Sequence, residues 1–254
     1  MANLPVRGRT QTGAETFKTA RETVLQERMR RDPQWFVFTS GLVTKDEHDP
    51  ASPLKPFPDE PYLRVLLDVC CVAGKIYPPS EAVYALGASE RAWVEAVAQT
   101  GIVLVEKSRQ VMATWLVCAY ALWRAKARPH QLILVQSKRE DDAANLVFVK
   151  ETWQARMSCM ETHLPPYLKT AIWPRAGSYA QLAFPNGSRI WGIPEGGDIV
   201  RSNTASVILS DEAAFQPEFG ASFTAALPAI KGGGSYIAIS SAEPGTFQDL
   251  TEAA

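Results

Sequence analysis

Lys107, Ser108, Arg109 and Gln110 leave an apolar run, Ile102–Val105, and Thr114 opens a second apolar run that reaches Trp123. The first run is short and β-branched, as in a strand covered on both faces; the second has no polar face, as in a buried helix. Cationic and hydroxyl side chains between two buried elements suit an anion. The backbone N–H groups of 108–114, those of Val111, Met112 and Ala113 included, have no intrahelical partner at a helix start, and the helix dipole adds positive charge there. Phosphate is the usual occupant. Further along, Asp211 and Glu212 close another apolar run, Val207-Ile208-Leu209-Ser210. Adjacent carboxylates on the rim of a strand divide two tasks: one holds the water shell of a Mg²⁺ ion, the other orients and activates an attacking water. A last run, Ser235–Ile239, ends in the small hydroxyls Ser240 and Ser241.

Tested against the phosphate-loop pattern G-x-x-x-x-G-K-[ST] and aligned on Thr114, the loop has Lys107 for the first Gly, Met112 for the second and Ala113 for the Lys. Only the hydroxyl position survives, so an ordinary loop of this kind is excluded. A displaced lysine still serves if its stem carries the Lys107 ammonium to the β/γ-phosphates while Thr114 ligates Mg²⁺.

The elements that must position these groups follow from hydrophobic pattern. Strands near 102, 131, 206 and 236, joined by helical stretches, predict a mainly parallel central sheet flanked by helices, with the chemical residues along one edge. Ligands of such sheets bind outside the carboxyl ends of the strands. That makes Arg139, which follows the strand Gln131–Val135, a candidate arginine finger, with a solvated charge as the competing reading. Asn186-Gly187, between Leu182-Ala183-Phe184 and Arg189-Ile190-Trp191, signals a hairpin. A helix is predicted over 14–31, ended by Asp32-Pro33. Residues 1–12 read as a mobile tail, 48–61 as a proline-dense linker or pocket wall, and 78–99 as a helical lid or insertion.

Composition sets limits. With 254 residues and 46% hydrophobic content the chain supports one large domain, or one plus a small lid. Balanced charge, 26 Lys+Arg against 27 Asp+Glu, removes any global basic field, so nucleic-acid binding needs a local patch, a ring of subunits or a further segment. Cys70, Cys71, Cys118 and Cys159 lack metal spacing and read as buried thiols, while His48, His130 and His163 read as surface or loop residues. No apolar run is long enough to span a bilayer, since Arg124 and Lys126 interrupt the longest.

The segment Glu106-Lys107-Ser108-Arg109-Gln110, with Thr114 and Trp115 following, resembles the deviant Walker A of the large terminase subunits of tailed bacteriophages. The departure is Met112, where that family usually has Gly. Asp211-Glu212-Ala213-Ala214-Phe215 is similar to the family's Walker B with its catalytic glutamate, Phe184-Pro185-Asn186-Gly187-Ser188 to its F-x-N-G-S stretch, and Ser240-Ser241-Ala242 to its coupling motif. The resemblance covers about 58 to 247 and implies a P-loop NTPase of the ring- and helicase-type branch that uses ATP and Mg²⁺. It implies phosphates on Lys107 and the backbone of 108–114, Mg²⁺ on Thr114 and Asp211, and the attacking water on Glu212. Arg109 then stabilises transition-state charge, Pro61-Tyr62 lies near the adenine, and Ser240 and Ser241 sense the γ-phosphate. The implied organisation is an N-terminal arm, helix and linker over 1–57 and an ATPase domain over 58–254, with the family's C-terminal nuclease domain not among these residues. The implied partners are double-stranded DNA, a portal protein, a small terminase subunit and further copies in a ring, in the cytoplasm of an infected bacterial host and away from any membrane. Two alternatives stay open: a helicase-like translocase of the same branch, and a docking protein that keeps the fold but, with Met112 and Ala113 in its loop, has lost turnover.

Overall fold

The computed structural model describes residues 13–46, 51, 53–76, 87–109, 111–149, 153–174 and 180–253. The tail at 1–12, residues 78–86 of the expected lid, His48 and Gln110 lie outside the described residues. The chain opens on α1 (Gly13–Arg31) and α2 (Pro33–Phe38). Asp32 divides them: its Oδ1 accepts the Trp35 N–H at 2.8 Å, capping α2, and Pro33 takes the first helical position, where a missing N–H has no partner to lose. A two-stranded antiparallel ribbon follows, β1 (Val43–Thr44) with β2 (Lys55–Pro56), and then α3 (Pro61–Ala73) and α4 (Ala88–Thr100). The described part of the expected lid is α4, which packs on α3 with Val94 and Val97 in the core.

The central unit comprises β3 (Ile102–Glu106), α5 (Ala113–Ala127), β4 (Leu132–Ser137), α6 (Glu140–Val147) and α7 (Arg156–His163). After it come β5 (Trp173–Pro174), β6 (Gln181–Ala183), β7 (Arg189–Pro194), the single turn α8 (Asp198–Arg201) and β8 (Val207–Asp211). A 3-10 turn at Ala213–Phe215, α9 (Phe219–Lys231), β9 (Ser235–Ser240) and α10 (Thr246–Glu252) complete the described chain.

Seven strands form one sheet in the order β3-β9-β8-β4-β7-β6-β5. The five from β3 to β7 are parallel, and β6 and β5 add an antiparallel border. Period-two alternation divides the sheet's side chains between two cores. Val103, Ile133, Val135, Val207, Leu209, Ile237 and Ile239 pack with α2, α3 and α5, whereas Leu134, Ile208, Tyr236 and Ala238 pack with Phe219, Ala226, Ile230 and Phe247 of α9 and α10. Helices thus cover both faces, as the apolar, unbroken strands require.

Helix α5 lies in the larger core and is buried nearly all round, which accounts for its lack of a polar face. The Trp123 indole N–H donates to the Met29 carbonyl at 2.7 Å, tying α1 to it. At its far end Asn186 Nδ2 donates to the Ala125 carbonyl at 2.8 Å and the Arg128 carbonyl at 3.1 Å, so the predicted β6–β7 hairpin closes the helix's C-terminus. Gly187 has φ +82 there, and a Cβ would stand 2.5 Å from His130 Nδ1, which explains a glycine at this turn. All four cysteines are buried and free. Among the described residues no helix is long and apolar enough to cross a membrane.

Candidate active site

Strand register brings the predicted groups together. β9 lies between β3 and β8, pairing Glu106 with Ser240 and Asp211 with Ile239, so the residues after each strand end emerge side by side. Lys107, just beyond β3, donates its backbone N–H to the Ser240 carbonyl at 2.8 Å, continuing the ladder past the strand. Its Nζ then reaches Glu212 Oε1 at 2.8 Å. Glu212 turns because its backbone is left-handed, φ 49 and ψ 49, which stops β8 and starts the 3-10 turn. Its second oxygen accepts the Ser241 N–H at 3.4 Å.

The neighbouring contact joins the other two groups: Thr114 Oγ1 donates to Asp211 Oδ1 at 2.9 Å. Asp211 is buried, and desolvation pushes its pKa up. The Arg156 charge and the Thr114 hydroxyl oppose that shift, and the Glu212 charge adds to it. A hydroxyl and a carboxylate in contact are hard oxygen donors that suit Mg²⁺, which takes its other ligands from water and phosphate. No cluster of three or more His, Cys, Asp or Glu able to hold a metal occurs among the described residues.

The described part of the loop ahead of α5 turns at its last residue. Met112, at the N-cap of α5, adopts φ 58 and ψ 7, the left-handed conformation natural to glycine. It therefore supplies with a side chain the backbone turn for which glycine is the usual choice. Among the described residues no side-chain bond caps α5 at Met112, and Met112, Ala113 and Thr114 line the cleft.

The cleft has a volume of about 920 Å³ and includes Lys107, Arg109, Val111, Met112, Ala113, Thr114, Asp211, Glu212 and Ser241 in its wall. Cations outnumber carboxylates along it: Lys45, Lys55, Lys107, Arg109, Lys138 and Arg156 against Asp46, Asp142, Asp211 and Glu212. A chain of formal net charge −1 thus concentrates positive charge where an anion would bind.

A second, largely apolar pocket of about 350 Å³ backs onto the same loop and is lined by Tyr62, Val65, Leu66, Trp93, Val105 and Ser108, with Lys107, Val111 and Ala113 common to both pockets. Tyr62 is half-exposed rather than core, and its hydroxyl donates to the Val111 carbonyl at 3.3 Å. Pro61-Tyr62, at the start of α3, is therefore fastened to the loop.

Other predicted residues fall elsewhere. Arg139 is exposed and does not line the cleft; its guanidinium makes a two-pronged contact with Asp142, both arms 3.0 Å. Ser240 is fully buried, and its Oγ accepts the Ala214 N–H at 3.1 Å, so it braces the 3-10 turn while Ser241 reaches the cleft. Arg109 is exposed at the mouth.

Sequence reasoning missed Arg156 at the start of α7 and the lysines of the β1–β2 ribbon, all in the cleft wall. Arg156 follows no strand end and belongs to no motif. For Lys55 the one signal was its place in the proline-dense stretch proposed as a pocket wall.

No protein-family model matches this sequence, and no curated protein matches it. Among solved structures, similarity extends to the ATPase domain of the large terminase of Thermus phage P74-26, at 16% identity over 71% of this chain and 71% of that one, with a TM-score of 0.46. A mutant of the same domain gives 16% identity and a TM-score of 0.43, over 59% of this chain and 63% of that one. The HK97 bacteriophage large terminase gives 15% identity and a TM-score of 0.44 over 70% of this chain, which spans 36% of that protein's length.

Proposed function

We propose that this chain is the ATP-hydrolysing motor of a phage large terminase, which drives double-stranded DNA into a procapsid. One observation carries the enzymatic part: Lys107 with Glu212, and Thr114 with Asp211, meet at adjacent strand ends beside an uncapped helix start. These are a phosphate-binding cation, a general base, and two oxygen donors for Mg²⁺, arranged on one rim.

In this mechanism Lys107 and the backbone N–H groups of 111–114 bind the β/γ-phosphates, and the base enters the apolar pocket beside Tyr62. Phosphate draws Lys107 away from Glu212, which frees the carboxylate to orient a water. The water oxygen attacks the terminal phosphorus, its proton passes to Glu212, and the bond to the leaving ADP oxygen breaks. Thr114 and Asp211 would hold Mg²⁺, which would neutralise phosphate charge when bound. Arg109 at the mouth neutralises charge that develops on the transferred group. Ser240, through the Ala214 N–H, and Ser241, through Glu212, link the site to the 3-10 turn and so to α9, the path by which phosphate loss would move the rest of the motor.

Motor partners belong to the same proposal: a portal protein, a small terminase subunit and a ring of copies in the host cytoplasm. Hydrolysis of ATP with Mg²⁺, measured over a range of protein concentrations beside Glu212→Gln, tests it. Turnover lost in that variant, and a rate per subunit that climbs with concentration, support a ring-forming ATPase. Nucleotide binding with no turnover at any concentration, even with DNA added, counts against it. Unwinding of a duplex would favour the helicase-like alternative.

A further inference from the structure

We propose that Arg156 is a further phosphate-binding residue of this cleft, a guanidinium supplied from the same chain to the terminal phosphate on the Asp211 side. The assignment rests on the ATPase function proposed above and extends it to a residue outside every motif.

Arg156 opens α7 and lines the cleft together with Thr114, Asp211 and Glu212. Its guanidinium carbon stands 5.8 Å from the centroid of the Trp115 ring. Trp115 is 5% exposed and follows Thr114 directly in α5, so the ring is as fixed as the helix. A planar cation held over an aromatic face keeps its N–H fork oriented, and little freedom remains to be lost when an anion binds. Its base is equally firm. Met157 and Met160 are fully buried, α7 packs on α5, α6 and β1, and the Lys45 ammonium donates to Gln154 Oε1 at 2.9 Å just ahead of the helix.

Packing places the group within the cleft. Arg156 stands over Trp115, the residue after Thr114, and Thr114 bonds Asp211, so it lies on the flank of the Mg²⁺ donors, whereas Lys107 contacts Glu212. A guanidinium that lines the cleft but not the apolar pocket proposed for the base meets the far end of the phosphate chain, and its fork matches phosphate oxygens better than an ammonium does. Of the predicted arginines, Arg139 does not line the cleft and Arg109 does, exposed at its mouth, so Arg156 acts beside Arg109 rather than in its place.

The test compares equilibrium binding of Mg-ATP and Mg-ADP, and single-turnover hydrolysis, in the full chain and in Arg156→Gln and Arg156→Lys. Losing a charged phosphate contact should weaken ATP binding about 10- to 100-fold in Arg156→Gln, with ADP binding held within about twofold. The rate of the chemical step should fall about 100-fold, and Arg156→Lys should regain affinity but little rate, since a point charge does not reproduce the fork. Equal losses for ATP and ADP, or no loss, would overturn the assignment and leave Arg156 a packing residue. Should Arg156→Gln fail to fold, Arg156→Lys decides: an unchanged rate overturns the proposal, a reduced rate with ADP affinity retained supports it. A wild-type chain that binds neither nucleotide removes the ATPase function and this assignment together, whereas loss of ATP selectivity confined to the variants upholds both.

Discussion

Helix α5 has a lysine–glutamate pair near each of its ends, one just ahead of its start and one in its last turn, and the two pairs share their residue types but not their surroundings. At the C-terminal end Lys126 donates to both oxygens of Glu161 at 2.7 Å, with side chains 0% and 3% exposed. The Thr170 hydroxyl accepts from the same ammonium at 2.7 Å, and the Thr170 N–H donates to Glu161 at 2.6 Å. The pair is closed and saturated. Burial pushes Glu161 up and Lys126 down, each countered by the other's charge, so removing either partner leaves a charge with nowhere to go. At the N-terminal end Lys107 and Glu212 share one contact of 2.8 Å, with side chains 9% and 40% exposed. That ammonium has bonding capacity to spare and faces a cationic cleft. The same two residue types thus make a rivet at one end and an exchangeable latch at the other, and what separates them is how many of their hydrogen bonds the protein itself satisfies.

Breaking each pair should accordingly move different quantities. Lys107→Ala is expected to lower kcat/KM for ATP by about 1,000-fold, because an ammonium aimed at developing phosphate charge is lost from a partly dry site. Its melting temperature should barely change, since a pair with a half-exposed member contributes at most about 1 kcal/mol. Steady-state kinetics beside thermal melting check both halves. A large loss of stability would make the latch a second rivet.

Lys126→Met alone, or Glu161→Leu alone, should cost about 3–5 kcal/mol of folding stability through the orphaned partner. The double substitution should recover most of that loss, since apolar side chains of similar volume satisfy a buried site without desolvation. Denaturant melts of the three variants complete the cycle. Additive losses would mean that the two charges act separately.

This contrast also explains which parts of the molecule were legible in the sequence. Ile102–Val105 and Val207–Leu209 announce themselves as buried strands because parallel sheets need apolar faces on both sides. Lys107, Thr114, Asp211 and Glu212 sit at strand or helix ends, so local pattern alone brings them to one rim. Ser240 differs from Ser241 by one position at a strand exit, and only the burial of β9 reveals that the first hydroxyl braces Ala214 while the second residue reaches the cleft. Arg139 was placed at the right edge, but Asp142, three residues on along the helix, competes for it. Arg156 was illegible because its position depends on α7 packing against helices distant in sequence. The Lys126–Glu161 rivet was hidden for the same reason, its halves being 35 residues apart with no periodicity to link them.

The smallest effect is expected at Met112, where the latch end of α5 departs from the usual loop residue. A left-handed backbone costs an ordinary residue about 1–2 kcal/mol, which Met112→Gly would relieve. Glycine's larger unfolded-state freedom takes back roughly 0.5–1 kcal/mol, and the partly buried Met112 side chain, packed against the larger core, would be lost as well. These contributions nearly cancel, so the melting temperature should shift by no more than a few degrees. Nucleotide affinity should also change little, because at φ 58 the loop already has the shape that glycine would give it. Calorimetric titration of Mg-ATP into both proteins distinguishes two causes. A gain of less than about threefold, under 1 kcal/mol, means that the backbone turn is what the loop requires and that methionine supplies it. A gain well beyond that would mean that the methionine side chain itself stands in the phosphate's path, and the cradle would then open only when that side chain moves.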